Sequence, residues 1–384
     1  MNFQPTSLNE RVDSLDILRG ISLLGILLVN MFAFYLPMPY IDLGTWFTEA
    51  KDIIWHQTLD IYVQSSFYPL FSMLFGYGLA MQFMKAERMG SNFYKFAPKR
   101  LVILLIIGLL HAFFIWWGDI LTMYAFCGFV LILFLRFGSG WLLTFGLVIN
   151  GIMQLFFIAI YGLFGMAGVE VEEQAVDIEM INNAITAYGI GSWTDAFLQR
   201  LHDLSLQMGI YMWISSLLTI LPYMLIGAAM AKWRLIERAK ELKGLWITLT
   251  ICGLALGLFI KSAPFMFSRT YLLDYLKIYV GGPVLSIGYI GVIVCLCMIP
   301  AMPKLLKPFA MAGRMSLTLY LMQSIICTLL FYNFGFGLYG EIDVQMGTFI
   351  AIGLFIIQVI FAELWFTKFK QGPLELAVKK LTYR

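Results

Sequence analysis

Several stretches of this chain run for about 20 residues with almost no charge, and nothing constrains its fold more. Coiled as an α-helix, a run of that length matches the roughly 30 Å hydrocarbon core of a bilayer. Composition agrees, with 60 % apolar residues, only 13 % charged residues and a mean hydropathy of +0.82. An ordinary soluble domain carries about 25 % charge. A closed barrel also satisfies backbone polar groups in lipid, but it needs short alternating strands, and the sequence shows none. The prediction is an all-α polytopic transmembrane helix bundle.

Ten helices are expected, at 15–36, 61–84, 99–117, 119–136, 141–166, 205–231, 244–261, 277–300, 312–333 and 346–369, in one integral membrane domain over residues 1–384. Two longer segments, 37–60 and 167–204, face outward. The first carries Trp46, Phe47, Ile53, Ile54 and Trp55 in an amphipathic pattern; the second is acidic and has room for a short interfacial helix. Glu10, Arg11 and Asp13 precede the first span with no small-residue cleavage site after it, so that span reads as retained. With both termini cytoplasmic, every one of the 26 Lys and Arg residues except Lys51, Arg200, Lys261, Arg269 and Lys277 falls on or near the inner side. Positive-inside bias favours that orientation, and acids such as Glu170, Glu172, Glu173, Asp177 and Glu179 collect outside. The outer loop 261–277, with three of those basic residues, fits least well. The chain shows no internal repeat, nucleotide fingerprint or metal-ligand cluster, and the five cysteines read as small buried hydrophobes. Nothing points to nucleic acid.

One span contains a histidine. In RLVILLIIGLLHAFFIWWGDILTMYA, from Arg100 to Ala125, His111 lies about 16 Å of helix beyond Arg100, and Asp119 follows across a Trp116-Trp117-Gly118 turn. An ionisable group at that depth costs several kcal/mol unless protein or water faces it. Asp119 suits a helix N-cap and can also hold an imidazole. His111 is accordingly either a structural hydrogen-bonder or a general base or nucleophile. His56 and His202 lie in outer segments; His56 is a second candidate because its loop leads into the second span.

Other polar groups recur at helical spacing. Asp16 and Arg19 share a face and can pair; with Arg11, Lys99, Arg100 and Arg314 they either reflect positive-inside bias or line a basic vestibule for a phosphorylated ligand. Asn30 ends the first span. Gly76 and Gly78 suit close helix packing. Ser316, Tyr320 and Gln323 form one polar stripe in an apolar helix, lining a cavity or joining helices.

Taken in order, Leu15-Asp16-Ile17-Leu18-Arg19-Gly20 with Asn30, Leu74-Phe75-Gly76-Tyr77-Gly78, His111 through Leu121 with Tyr124-Ala125, Gly313-Arg314 through Gln323-Ser324 and Gln371-Gly372-Pro373-Leu374-Glu375 resemble the bacterial YeiB-like family, domain of unknown function 418. Leu319 and Leu376 depart from it, standing where that family often has Asn and Trp. The opening motif is also similar to that of heparan-α-glucosaminide N-acetyltransferase and related membrane acyltransferases. The resemblance implies transfer of an acyl group, acetyl above all, from cytosolic acyl-CoA to an extracytoplasmic sugar or envelope acceptor. It implies a bacterial cytoplasmic membrane location, no metal, and leaves a homodimer open. In that scheme Arg19, Lys99, Arg100 and Arg314 hold the CoA phosphates, His111 with Asp119 acts on the acceptor, and Asp16, Asn30, Tyr124, Ser316, Tyr320 and Gln323 line the cavity. The histidine of the acetyltransferase follows its first span, a position that matches His56. The alternative is a proton-coupled transporter with His111 and Asp119 as relay; it lacks the inverted repeat such proteins often carry.

Overall fold

The computed structural model describes residues 12–169, 171 and 177–383, so Glu10, Arg11, Glu170, Glu172 and Glu173 lie outside the described residues. Among the described residues every regular element is helical. In chain order the principal helices are α1 (Asp13–Tyr35), α2 (Ala50–Tyr62), α3 (Phe67–Arg88), α4 (Phe93–Phe114), α5 (Leu121–Phe134), α6 (Ser139–Met166), α7 (Trp193–Gln207), α8 (Ile210–Lys232), α9 (Lys243–Met266), α10 (Tyr271–Cys297), α11 (Lys307–Arg314), α12 (Ser316–Phe331), α13 (Val344–Lys368) and α14 (Pro373–Tyr383).

Seven of these, α1, α4, α6, α8, α9, α10 and α13, are long and apolar enough to cross a membrane. The pair α11 and α12, bent by 82° at Met315, makes an eighth when counted as one broken span. The protein is a multi-pass membrane protein. The expectation of ten counted two more. Of these, α5 has only 14 residues, about 21 Å of helix. The other, α3, is long enough at 22 residues but is diluted by Pro69, Ser72, two glycines and Gln82. It packs against α1, α4, α5, α8 and α10, so protein rather than lipid meets much of its surface.

Glycine decides how closely the helices approach. A Cβ on Gly76 of α3 would sit 2.0 Å from the Met224 carbonyl of α8, and one on Gly227 of α8 would sit 1.9 Å from the Met73 carbonyl. Gly20 and Gly313 do the same for α1 and α11, at 2.0 Å from the Phe309 carbonyl and 1.9 Å from that of Asp16. In a membrane, where burial of apolar surface between helices gains little, such backbone contact drives association.

The core falls into two clusters, with α1 running through both: Leu15, Ile17 and Leu18 belong to one, and Leu23 through Tyr35 to the other. The described part of the acidic segment 167–204 contains a short helix, Ile178–Ile185, and α7, whose start is fixed by reciprocal Ser192 and Asp195 bonds. The loop expected over 261–277 is shorter than the sequence suggested. Because α9 runs on to Met266, Lys261 is fully buried, its ammonium 2.6 Å from the Gln64 carbonyl; Lys277, on α10, pairs with Asp60 at 2.6 Å.

Candidate functional site

His111 lies in the last turn of α4, where its carbonyl accepts from both Ile115 and Trp116 N–H as the chain turns. That turn brings Asp119 back over the helix. Its Oδ2 accepts from the Thr122 amide at 2.7 Å, satisfying one free N–H at the start of α5. Its Oδ1 lies 2.8 Å from His111 Nδ1. Gly108, one turn before His111, leaves the room this needs, since a Cβ there would sit 2.9 Å from Asp119 Oδ2. The pair is 1 % and 2 % exposed. A carboxylate only accepts, so a neutral imidazole bonded to it through Nδ1 carries its proton there and presents the Nε2 lone pair. Nε2 has no partner in the structure. On the far side Trp116 stacks on Phe34, ring centroids 4.1 Å apart, and covers the turn.

A cavity of about 370 Å³ opens where α1, α3, α4, α5, α12 and α14 meet. Arg19, Arg100, Arg314, Lys370 and Lys379 stand at its charged end. Asp16 holds Arg19 at 2.8 Å, and Arg314 lies over the Phe366 ring at 4.2 Å. Leu23, Ile26, Phe71, Leu104, Ile120 and Leu121 line the opposite, apolar end, where Tyr124 and Tyr320 also stand. The Tyr124 hydroxyl is engaged by the Tyr68 carbonyl and Ser72, both at 2.9 Å. That of Tyr320 accepts from the Ile120 amide at 3.3 Å and lies beside Asp119. The Tyr320 ring centroid is 5.3 Å from that of His111. His111 and Asp119 do not line the cavity; Tyr320 stands between.

The structure thus gathers Asp16, Arg19, Arg100, Tyr124, Arg314, Ser316 and Tyr320 around one space and leaves others out. Lys99 is exposed and points elsewhere, because neighbours on a helix diverge by about 100°. Asn30 is half-buried and lines neither cavity described here. Gln323 leaves the stripe to bond Gln358 on α13 at 2.9 Å, with Gln358 in turn on the Leu319 carbonyl at 3.1 Å. Gly78 differs from Gly76: it faces the cavity, where a Cβ would meet only Arg19 Nη2 at 3.5 Å.

His56 lies in a second cavity, of about 390 Å³, beside Leu28, Phe32, Asp60, Arg269 and Lys277. Burial pushes its pKa below the ordinary histidine value, with Asp60 opposing. His202 is exposed, its Nδ1 2.8 Å from the Tyr40 hydroxyl.

Two contributors went unnoticed in the sequence. Glu375 of α14 accepts from the Leu317 and Thr318 amides at 2.9 and 3.1 Å and from the Thr318 hydroxyl at 2.6 Å, capping α12 below Tyr320. Its burial raises its pKa. It belongs to the tail motif Gln371–Glu375, which was the only signal for it. Arg200 of α7 is 1 % exposed and donates to the Phe113 and Phe114 carbonyls, at 3.3 and 3.0 Å, at the end of the helix that carries His111. Beside it Asp203 accepts from Tyr40, from Tyr188 at 2.7 Å and from Gln199 at 2.9 Å.

A family model described as "Protein of unknown function (DUF418)" matches residues 230–384, the part that holds Arg314, Tyr320 and Glu375. "Uncharacterized protein YxaH" of Bacillus subtilis (strain 168) is 35 % identical over 100 % of this chain and 96 % of its own length. "Uncharacterized protein YeiB" of Escherichia coli (strain K12) is 26 % identical over 98 % of this chain and 97 % of its own. The chain belongs to the YeiB-like, DUF418 family of multi-pass membrane proteins.

Proposed function

We propose that this protein is a transmembrane acyltransferase that takes an acyl group, acetyl above all, from cytosolic acyl-CoA and delivers it to a sugar or envelope acceptor outside a bacterial cytoplasmic membrane. The observation that carries the reading is one cavity joining a rim of five cations to Tyr320, which stands against the buried His111–Asp119 pair. CoA is polyanionic at one end and carries its thioester on a long arm at the other. Charge-assisted bonds from Arg19, Arg100 and Arg314 would add about 1.5–3 kcal/mol each to holding the phosphates. The arm would extend along the apolar wall towards Tyr320.

In this scheme the acceptor reaches His111 from the Trp116 side, which requires the Trp116–Phe34 stack covering the turn to move aside. Its hydroxyl or amine attacks the thioester carbon while its proton passes to Nε2, whose lone pair Asp119 orients through Nδ1. The tetrahedral adduct then collapses, the C–S bond breaks, and the leaving thiolate takes the proton from the imidazolium. General-base assistance of this kind is worth about 10²- to 10⁴-fold.

The purified protein, assayed for CoA-dependent thermal stabilisation and for free-CoA release, tests the reading against His111→Ala. Stabilisation by CoA with turnover lost in the variant supports it. Absence of any CoA-dependent stabilisation, or full turnover in the variant, rejects it.

A further inference from the structure

We propose that Gln82 reads the nucleobase of the acyl donor, so that the charged end of the cavity takes an adenine nucleotide rather than a bare phosphate; the inference rests on the acyl-CoA reading. The cavity carries more positive charge than its own acids balance. Asp16 is engaged by Arg19, and Glu375 is spent on the Leu317 and Thr318 amides. Arg100, Lys370 and Lys379 line the space with no carboxylate paired to them among the described residues. Those cations suit phosphate. Gln82 answers a different need. It is half-buried on α3 and lines the same cavity, and its side-chain carbonyl oxygen is buried without a partner among the described residues. An ionised phosphate only accepts, so it cannot satisfy that oxygen.

Position separates the base from the thioester. The cavity face of α3 runs turn by turn from Phe71 and Phe75, packed edge-on to Tyr124, through Gly78, beside Arg19, to Gln82. Gln82 therefore lies on the far side of Arg19 from Tyr124, where the part of the donor beyond its phosphates falls. The pantetheine arm, with its own amides, runs the other way towards Tyr320. A glutamine amide offers an acceptor and two donors side by side. The amino group and adjacent ring nitrogen of adenine offer the complementary pair, and one glutamine takes both at once. The last torsion of the side chain is broad and roughly two-fold, so either half of the amide turns to the cavity at little cost. Tyr383, its ring centroid 5.4 Å from that of Phe96, lines the same space and gives the base an aromatic surface to stack on.

The test measures affinity by calorimetry on the full chain in detergent with three ligands. These are CoA, etheno-CoA, whose bridged adenine has lost its amino N–H groups, and phosphopantetheine, which lacks the nucleotide. Wild type is expected to bind CoA at least about tenfold tighter than either of the others. Gln82→Leu brings CoA down to the affinity of etheno-CoA and changes phosphopantetheine binding by no more than about twofold. Equal wild-type affinity for CoA and etheno-CoA, or a preference that survives in Gln82→Leu, overturns the role of Gln82 and leaves the acyl-CoA reading in place. So does a variant that loses phosphopantetheine as strongly as CoA, because the amide then serves the arm rather than the base. Wild type that binds none of the three overturns the acyl-CoA reading, and the role of Gln82 with it. Should Gln82→Leu not fold, Gln82→Met keeps the side-chain length without its amide and is read in the same way, and the wild-type comparison of CoA with etheno-CoA decides independently of any variant.

Discussion

Asp119 divides its carboxylate between His111 Nδ1, at 2.8 Å, and the backbone N–H of Thr122, at 2.7 Å. One side chain therefore starts α5 and sets the tautomer of a buried imidazole. The cap and the orientation of the base are separable, because they use different oxygens. Asp119→Asn keeps a carbonyl oxygen for the Thr122 amide but turns an NH₂ group towards Nδ1, which moves the ring proton to Nε2. Turnover is expected to fall about a hundredfold or more. Thermal unfolding of the same variant should shift little, whereas Asp119→Ala loses about 1 kcal/mol from the cap as well.

The two glycines of α3 should respond in opposite ways. Gly76→Ala forces a Cβ against the Met224 carbonyl, where only 2.0 Å is available, and destabilises by about 1–3 kcal/mol or prevents assembly. Gly78→Phe meets no backbone and fills the cavity beside Arg19. It should unfold near the wild-type Tm and lose CoA-dependent stabilisation. Size-exclusion and thermal-shift measurements on the two variants check both outcomes.

His56 gives stability a pH dependence. Burial lowers its folded-state pKa below about 6.5, so between the two values the unfolded chain binds more protons than the folded one. Stability therefore rises with pH across that window and is lost on acidification from about 6.5 downward. His56→Gln should flatten the slope, read as Tm between pH 7.5 and about 5.5.

Removing the Arg200 side chain with Arg200→Met leaves the Phe113 and Phe114 carbonyls without their charged donor. Bonds to charged groups contribute about 1.5–3 kcal/mol, and a loss at the upper end of that range is expected in chemical denaturation. Lys243→Met, on an exposed helix start, serves as the matched control and should stay within about 0.5 kcal/mol.

Much of this was legible in the sequence where the causes are local. Length and apolarity of α1, α4 and α13 define spans, and the short turn after His111 made its meeting with Asp119 readable. The Asp16–Arg19 pair follows from helical spacing alone. Other features depend on distant partners. Nothing at Lys99 or Arg100 says which of two adjacent cations faces inward; the position of α14 decides that, through the Tyr383 and Val378 side of the cavity. Gln323 has the spacing of a cavity residue, yet Gln358 on another helix captures it. Lys261 looks like a loop residue until the neighbouring Gln64 carbonyl supplies a partner that lets the helix continue past it. The bend before α12 contains no proline, and the Glu375 carboxylate that satisfies its free amides arrives from the far end of the chain.

That last contact sets an order of events during synthesis. The ribosome produces α1 early and α14 late, yet Asp16, Arg19, Glu375 and Tyr383 wall the same space. Until α14 emerges and docks, the nascent bundle holds an unfinished cleft, with the Leu317 and Thr318 amides lacking their carboxylate. The cavity is complete only once α14 docks, so a chain stalled before that helix leaves the Val378 and Tyr383 side of the space without its wall.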